Sequence, residues 1–305
     1  MITAEISDLL KLPLAELICL ADKVRRESVG SEFELCSIVN AKSGQCSEDC
    51  KFCAQSRRHH TDIATYPLKN KDQIVEAAEQ AKKNGAKKFG IVTSGNCLNK
   101  DELDIIAQAV SKIKGEIAID VCASLGALEN CELKMLKEAG LCRYHHNIET
   151  SADFYSRIVS THSFKERTDT IEAAKKVGLE VCSGGIIGMG ESWQDRIDMA
   201  VLLKELDVDS VPINLLVPVK GTDLELSEPI SGIDAIRTIC IFRIILKDKT
   251  IKIAAGRESI LKNFQAMGFM AGANGMLIGG YLTVKGRDIV EDRRLVKEIE
   301  KIWAK

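Results

Sequence analysis

Short apolar, β-branched runs recur along the chain at about 34–41, 87–93, 116–123, 141–148, 179–187, 208–217, 250–256 and 274–279. Between most of them the pattern turns helical. In 100–114, Leu103, Ile106, Ala107, Val110 and Ile113 follow the i, i+3, i+4, i+7 rule of a helix with one apolar face. Predicted helices at 72–84, 100–114 and 131–139 each stop at a glycine, Gly85, Gly115 and Gly140, the residue that most readily takes the left-handed turn ending a helix. Asn99 and Asn130 stand where two helix starts need a side-chain acceptor. Upstream, residues 4–29 place Leu14, Leu17, Ile18 and Ala21 on one face, and Pro13 suits a helix start. One or two helices are expected there.

Strands alternating with helices imply parallel pairing through right-handed crossovers. Eight such strands predict a closed (β/α)8 barrel, with a doubly wound open sheet as the alternative. Barrels of this kind commonly reach the length of this chain, 305 residues. No linker composition interrupts it. The expectation is one domain over 1–305, with an N-terminal helical segment at 1–30, the barrel at 31–285 and a C-terminal helix at 286–305.

Net charge is −2 and aromatic residues make up 5%. Neither favours nucleic acid or an anionic membrane surface. No apolar run reaches transmembrane length, and the N-terminus lacks a basic region followed by an apolar core. The expected location is therefore cytoplasmic. Eleven cysteines then point to reduced thiols and metal ligation rather than disulfides.

The densest chemistry is Gly44-Gln-Cys46-Ser-Glu-Asp-Cys50-Lys-Phe-Cys53. Three thiolates select soft metals: zinc, copper(I) or iron–sulfur clusters. Structural zinc closes its shell with pairs of ligands, and an iron–sulfur cube usually takes four cysteines. The next cysteine is Cys97, so three ligands on one loop leave one iron open to a substrate or cofactor. The loop carries Ser47, Glu48, Asp49 and Lys51, unlike a cysteine buried as a small hydrophobe. It follows the first predicted strand directly, at the barrel end where catalytic groups collect.

A second set lies on odd-numbered predicted strands: Cys36 on the first, Cys122 on the third, Cys182 on the fifth and Arg257 ending the seventh. Side chains from alternate strands form layers inside such barrels, so three thiols and a guanidinium are expected to face one another. The alternative is three core cysteines and an arginine paired with Glu258 or another acid.

The C-x3-C-x2-C spacing, with Phe52 before the last cysteine, resembles the signature of radical S-adenosylmethionine (SAM) enzymes. That resemblance implies a [4Fe–4S] cluster on Cys46, Cys50 and Cys53, with SAM on the open iron. It also implies an electron supplied by flavodoxin or ferredoxin, and cleavage of SAM to a 5′-deoxyadenosyl radical. Residues 34–280 are similar to the biotin synthase family in particular. The matching pieces are Gly44–Ser56, Tyr144-His-His-Asn-Ile-Glu-Thr-Ser151, Val181-Cys-Ser-Gly-Gly-Ile-Ile-Gly-Met-Gly-Glu191, Val211-Pro-Ile-Asn-Leu-Leu-Val217, Ala255-Gly-Arg-Glu258 and Met270-Ala-Gly-Ala-Asn274. The family inserts sulfur between two unactivated carbons of dethiobiotin and is often dimeric, so a homodimer is expected. By the same resemblance, Asn147 and Glu149 serve the SAM ribose or the substrate ureido ring. His145 faces substrate, Asn214 reaches the ureido carbonyl, and Ile186 and Phe52 flank the SAM adenine.

The chain departs from the family at its auxiliary cluster, the source of the inserted sulfur. The usual [2Fe–2S] cluster is held by three cysteines and an arginine. Cys122, Cys182 and Arg257 are read as matches, but the third thiolate belongs in the second strand, where this chain has Gly90. Cys36 supplies a thiol where the family has none, with Cys97 as its rival. The expected cluster is either [2Fe–2S] or a four-iron one carrying an extra sulfide. His145 and Glu149 also depart from the family's Asn and Asp. The remaining alternatives are another radical SAM enzyme of the same subgroup, such as a hydrogenase-cofactor maturase, and a non-catalytic iron–sulfur or zinc carrier.

Overall fold

A computed structural model describes residues 6, 8–283 and 286–304. Its strands are β1 (Glu34–Lys42), β2 (Lys88–Thr93), β3 (Asp120–Ser124), β4 (Arg143–His145), β5 (Glu180–Cys182), β6 (Gly185–Ile187), β7 (Ser210–Leu215), β8 (Thr250–Ile253) and β9 (Gly275–Leu277). They run in the order β5-β4-β3-β2-β1-β9-β8-β7-β6, and a β5–β7 pairing closes the ring. Every ladder is parallel. The predicted barrel is therefore present, and the open sheet is not.

One predicted strand, 179–187, is split. Cys182 pairs with Ser210 and Gly185 with Ile213, so the register on β7 is kept across the gap. Between them the Gly184 N–H donates to Asn147 Oδ1 at 3.1 Å instead of continuing the ladder. Gly184 also admits no side chain, because a Cβ there would sit 2.0 Å from the Pro212 carbonyl oxygen.

Strand alternation sorts the side chains. Phe89, Ile91, Val121, Tyr144, Val181, Val211 and Ile213 point outward into the core beneath the helices. Their neighbours Cys36, His145, Cys182, Pro212, Asn214 and Lys252 line a cavity inside the ring. The inner face is thus polar and sulfur-rich, not the aliphatic filling common in such barrels.

The helices keep most predicted bounds. Asn70 and Asn99 cap the helices Lys71–Lys83 and Lys100–Glu116, each in a reciprocal box with the residue three places on, Gln73 and Glu102. The helix Asn130–Glu138 starts one residue earlier than Asn130 would require as its cap, and Glu132 reaches back to the Glu129 N–H at 2.8 Å. Gly115 does not end its helix, which runs on to Glu116. Gly85 and Gly140 do take left-handed turns, φ 88° and 110°. At the ends of the chain, helix Leu14–Ser28 packs on helix Gly232–Leu246. Helix Ile289–Trp303 brings the Trp303 ring 5.7 Å from Phe33 and under the Arg25 guanidinium. The start of the predicted 4–29 segment and Lys305 lie outside the described residues.

Candidate active site

The three-cysteine loop leaves β1 at its C-terminal end and folds back on itself. The Cys46 N–H donates to Gln55 O at 3.0 Å, the Arg57 N–H to Cys46 O at 2.8 Å, and the Cys53 N–H to Cys50 O at 2.9 Å. Asp49 ties the loop to the chain beyond β4: one carboxylate oxygen accepts from the Ser160 N–H at 2.9 Å and the Thr161 hydroxyl at 3.0 Å. A separate apolar cluster of Phe154, Tyr155, Ile158, Met189 and Leu216 packs on Cys50, with Phe52, Cys53 and Ile186 against its edge. Burial pushes the Cys53 thiol up to about 11 and the Cys50 thiol higher still. Metal binding at these thiols therefore releases protons.

Behind Cys50 stands a group with no counterpart in the sequence reading. His162 Nε2 lies 3.5 Å from Cys50 Sγ, and its Nδ1 is 2.7 Å from the Tyr155 hydroxyl. Arg167 donates to that hydroxyl at 3.0 Å and approaches both His162 and His146. In sequence Arg167 sits in Phe164-Lys-Glu-Arg-Thr-Asp, which reads as a solvated helix face, so nothing marked it as a half-buried cation turned toward Cys50. His146 is buried and His145 half-buried.

The other predicted residues gather at the same mouth. Cys46, Cys50, Phe52, Cys53, Ile186 and Asn214 share with Cys36 and Cys182 the lining of one cavity of about 460 Å³, a size usual for small-molecule sites. Asn214 Nδ2 donates to Gly185 O at 3.1 Å and its Oδ1 accepts from the Ala255 N–H at 3.2 Å. An amide has two donors and two lone pairs, so each end keeps one free. Asn147 Nδ2 donates to Glu149 Oε2 at 3.4 Å. Glu149 holds a left-handed backbone, φ 68°. Burial raises its carboxyl's pKa, against the opposing pull of Arg167 and Asn147.

Deeper in the barrel, Cys36, Cys122 and Cys182 are all buried. They lie near enough for Cys182 to bear on the charge of Cys36, and Cys36 on that of Cys122. Burial pushes the Cys36 thiol up to about 11. Cys97 is exposed and lines no part of the cavity, so the structure brings Cys36 and not Cys97 to the other two. Two further residues join them. Cys142, just before β4, has its Sγ 4.0 Å from that of Cys122, and Lys252 on β8 lies beside Cys36 and Cys182.

Arg257 does not face the thiols. It begins the short helix Arg257–Ile260, beyond the left-handed turn at Gly256, φ 84°. There it donates to Asp292 at 2.6 Å and to the Tyr281 hydroxyl at 3.0 Å, with Glu258 at 3.2 Å. The reason is local: the turn ends the strand before Arg257, and the C-terminal helix offers a buried carboxylate. The cation that lies beside the buried thiols is Lys252.

Beneath the thiols an ionic layer closes the barrel. Glu34 accepts from Lys252 at 2.6 Å and Arg143 at 2.7 Å, and Arg143 also reaches Glu180 at 2.8 Å. Burial alone would raise the Glu34 carboxyl, but Lys252 and Arg143 outweigh it and hold it down at about 2. His145 stands just above. Burial, with Lys252 and Arg143 adding to it, keeps its imidazole well below the usual histidine range and therefore neutral.

Among the described residues, no three His, Cys, Asp or Glu side chains converge as a single metal ion requires. A four-iron cube takes one protein donor per iron, so its ligands stand further apart than those of a single metal ion.

Two family descriptions match the chain: the Radical SAM superfamily over residues 42–203 and the Biotin and Thiamin Synthesis associated domain over 212–301. Strands on both sides of that division join in the same ring. Among curated proteins, the biotin synthase of Thermotoga neapolitana is 54% identical over 89% of this chain and 98% of its own. That of Thermotoga petrophila is 49% identical over 98% and 99%. Among solved structures, methylornithine synthase matches with TM-score 0.82 at 21% identity, covering 98% of this chain and 92% of that one. The FeFe-hydrogenase maturase of Carboxydothermus hydrogenoformans gives 0.79 at 17%, covering 97% and 77%. At such identity these two show the shared barrel alone. The chain thus belongs to the biotin synthase family of the radical SAM superfamily.

Proposed function

We propose that this chain inserts sulfur into dethiobiotin to form biotin, using SAM and two iron–sulfur clusters. One observation carries the proposal: the loop thiols of Cys46, Cys50 and Cys53 open onto the same cavity that Cys36 and Cys182 line from below. When bound, the clusters and SAM supply an electron, a hydrogen-abstracting radical and the sulfur atom.

The chain's own part is to hold and orient. Cys46, Cys50 and Cys53 hold the SAM-binding [4Fe–4S] cluster, steadied by Asp49 and by the His162–Arg167 group behind Cys50. Glu149 and Asn147 accept from and donate to the ribose of SAM, with Phe52 and Ile186 against the adenine. Asn214, fastened at both ends of its amide, presents its remaining donor to the ureido carbonyl of the substrate. Cys36, Cys122 and Cys182 hold the auxiliary cluster, with Lys252 offsetting their negative charge. The walls of the barrel place the two reacting centres on either side of the substrate, which is worth more here than acid–base catalysis. Flavodoxin or ferredoxin is the electron donor, and exposed Lys51, Arg57 and Arg58 beside the loop suit an acidic carrier. Family resemblance alone supports a homodimer. No described helix is long and apolar enough to cross a membrane.

The test is iron and sulfide quantitation after anaerobic reconstitution, beside an assay for 5′-deoxyadenosine and biotin. Wild type binds about six irons if the auxiliary cluster has two, or about eight if it has four. Cys36→Ala keeps about four irons and still cleaves SAM but makes no biotin. Full iron content and biotin formation in Cys36→Ala would contradict the ligand set. Failure of the wild type to cleave SAM would contradict the function.

A further inference from the structure

We propose that His145 is the fourth protein donor to the auxiliary cluster, standing in for the side chain that Gly90 lacks. The inference rests on the reading that Cys36, Cys122 and Cys182 hold such a cluster, and it gives His145 a task other than contacting substrate.

Three observations converge on it. First, Gly90 lies on β2 between Ile38 of β1 and Cys122 of β3, inside the ring and level with the thiol. A Cβ built on Gly90 would come 3.8 Å from His145 Cε1. The imidazole therefore borders the space that a side chain on β2 would enter. Second, His145 is the β4 partner of Cys182 on β5. Cys122 on β3 is level with Arg143, two places before His145 on the same inner face of β4, so the imidazole stands level with the Cys182 thiol and one inward-facing step above that of Cys122. Third, His145 Nε2 is fully buried and has no hydrogen-bond partner, although buried polar atoms are nearly always satisfied. His145 lines the same cavity as Cys36 and Cys182. An imidazole nitrogen with a free lone pair binds iron in clusters where histidine replaces cysteine. Such a ligand brings no negative charge, which suits a chamber already holding three thiolates.

The test uses the full-length Cys46→Ala/Cys50→Ala/Cys53→Ala variant, so that only the auxiliary site can take iron. It is reconstituted anaerobically with iron and sulfide, reduced without SAM, and measured by iron analysis and pulsed electron paramagnetic resonance. Samples carry either ordinary or nitrogen-15-labelled histidine. The expected result is a strongly coupled nitrogen whose pattern changes with the label and vanishes in the added His145→Gln substitution, while His145→Cys retains iron without that nitrogen. A cluster showing no histidine coupling, or one whose coupling survives His145→Gln, overturns the role of His145 and leaves the three-thiolate site intact. No bound iron at all overturns the auxiliary site itself, and this inference with it. The labelled native side chain gives the answer even should His145→Gln fold poorly.

Discussion

Lys252 and Arg257 are five positions apart and both basic, yet they do unrelated work. The period of a strand distinguishes them. Counting by twos from Lys252 keeps Ala254 on the inner face, and Lys252 and Ala254 do line the cavity. Arg257 falls on the opposite count and lies past the Gly256 turn. That parity was available in the sequence; a guanidinium simply looked the more obvious partner for a cluster. The difference predicts opposite outcomes. Arg257→Met leaves Asp292 buried without its cation and costs about 3 kcal/mol of stability, read by urea unfolding, while auxiliary iron is unchanged. Lys252→Met lowers auxiliary iron, and Lys252→Arg restores it. Loss of auxiliary iron in Arg257→Met would reverse the assignment. The loop cysteines were legible because a charged loop gives them no core to fill. His162 and Arg167 were not, since one sits in a polar loop and the other in a helix of mixed charge. Only the fold shows that they turn inward behind Cys50.

Elements are held at the bottom of the barrel by charges between neighbouring connections. Asp207, at a left-handed position before β7, accepts from Lys175 at 2.9 Å and pairs with Lys249 at 2.5 Å. The bonds from Lys249 and then Lys175 hold its carboxyl down at about 2, below the usual value near 4. The native state therefore binds this proton more weakly than the unfolded chain does. The stabilisation is complete above about pH 4 and fades as pH falls toward about 2. Asp207→Asn keeps a residue that tolerates the left-handed backbone. Its urea midpoint should fall less than that of wild type between pH 5 and pH 3; an equal or larger fall would show that Asp207 contributes nothing to acid stability. The alternation of strands and helices was readable in advance because apolar runs and helical periodicity rarely mimic each other at these lengths. The division of β5 from β6 was not, since Asn147 draws the Gly184 N–H away only once the strands are side by side.

For the molecule as a whole, the informative feature is the polar interior. A parallel barrel with helices outside usually buries both faces of its strands in apolar contacts. Here the outer face does so, while the inner face carries thiols, an imidazole and an ionic base of Glu34, Arg143, Glu180 and Lys252. Cysteines on odd strands announced part of this. The ionic base did not show itself, because its members look like ordinary polar strand ends until the ring closes. Unpaired, Arg143 and Lys252 would be costly to bury; interlocked with Glu34 and Glu180, they floor the chamber beneath the thiols. The same chamber receives the Cys46–Cys53 loop, so the proposed radical chemistry and the proposed sulfur store share one enclosure.

That enclosure is tested most directly by following the sulfur. The chain is reconstituted with iron and isotopically heavy sulfide, freed of excess sulfide, and given dethiobiotin, SAM and a reduced flavodoxin, and the product is weighed by mass spectrometry. The account predicts biotin carrying the heavy sulfur in the first turnover. Biotin of ordinary mass, or none despite SAM cleavage, would contradict it.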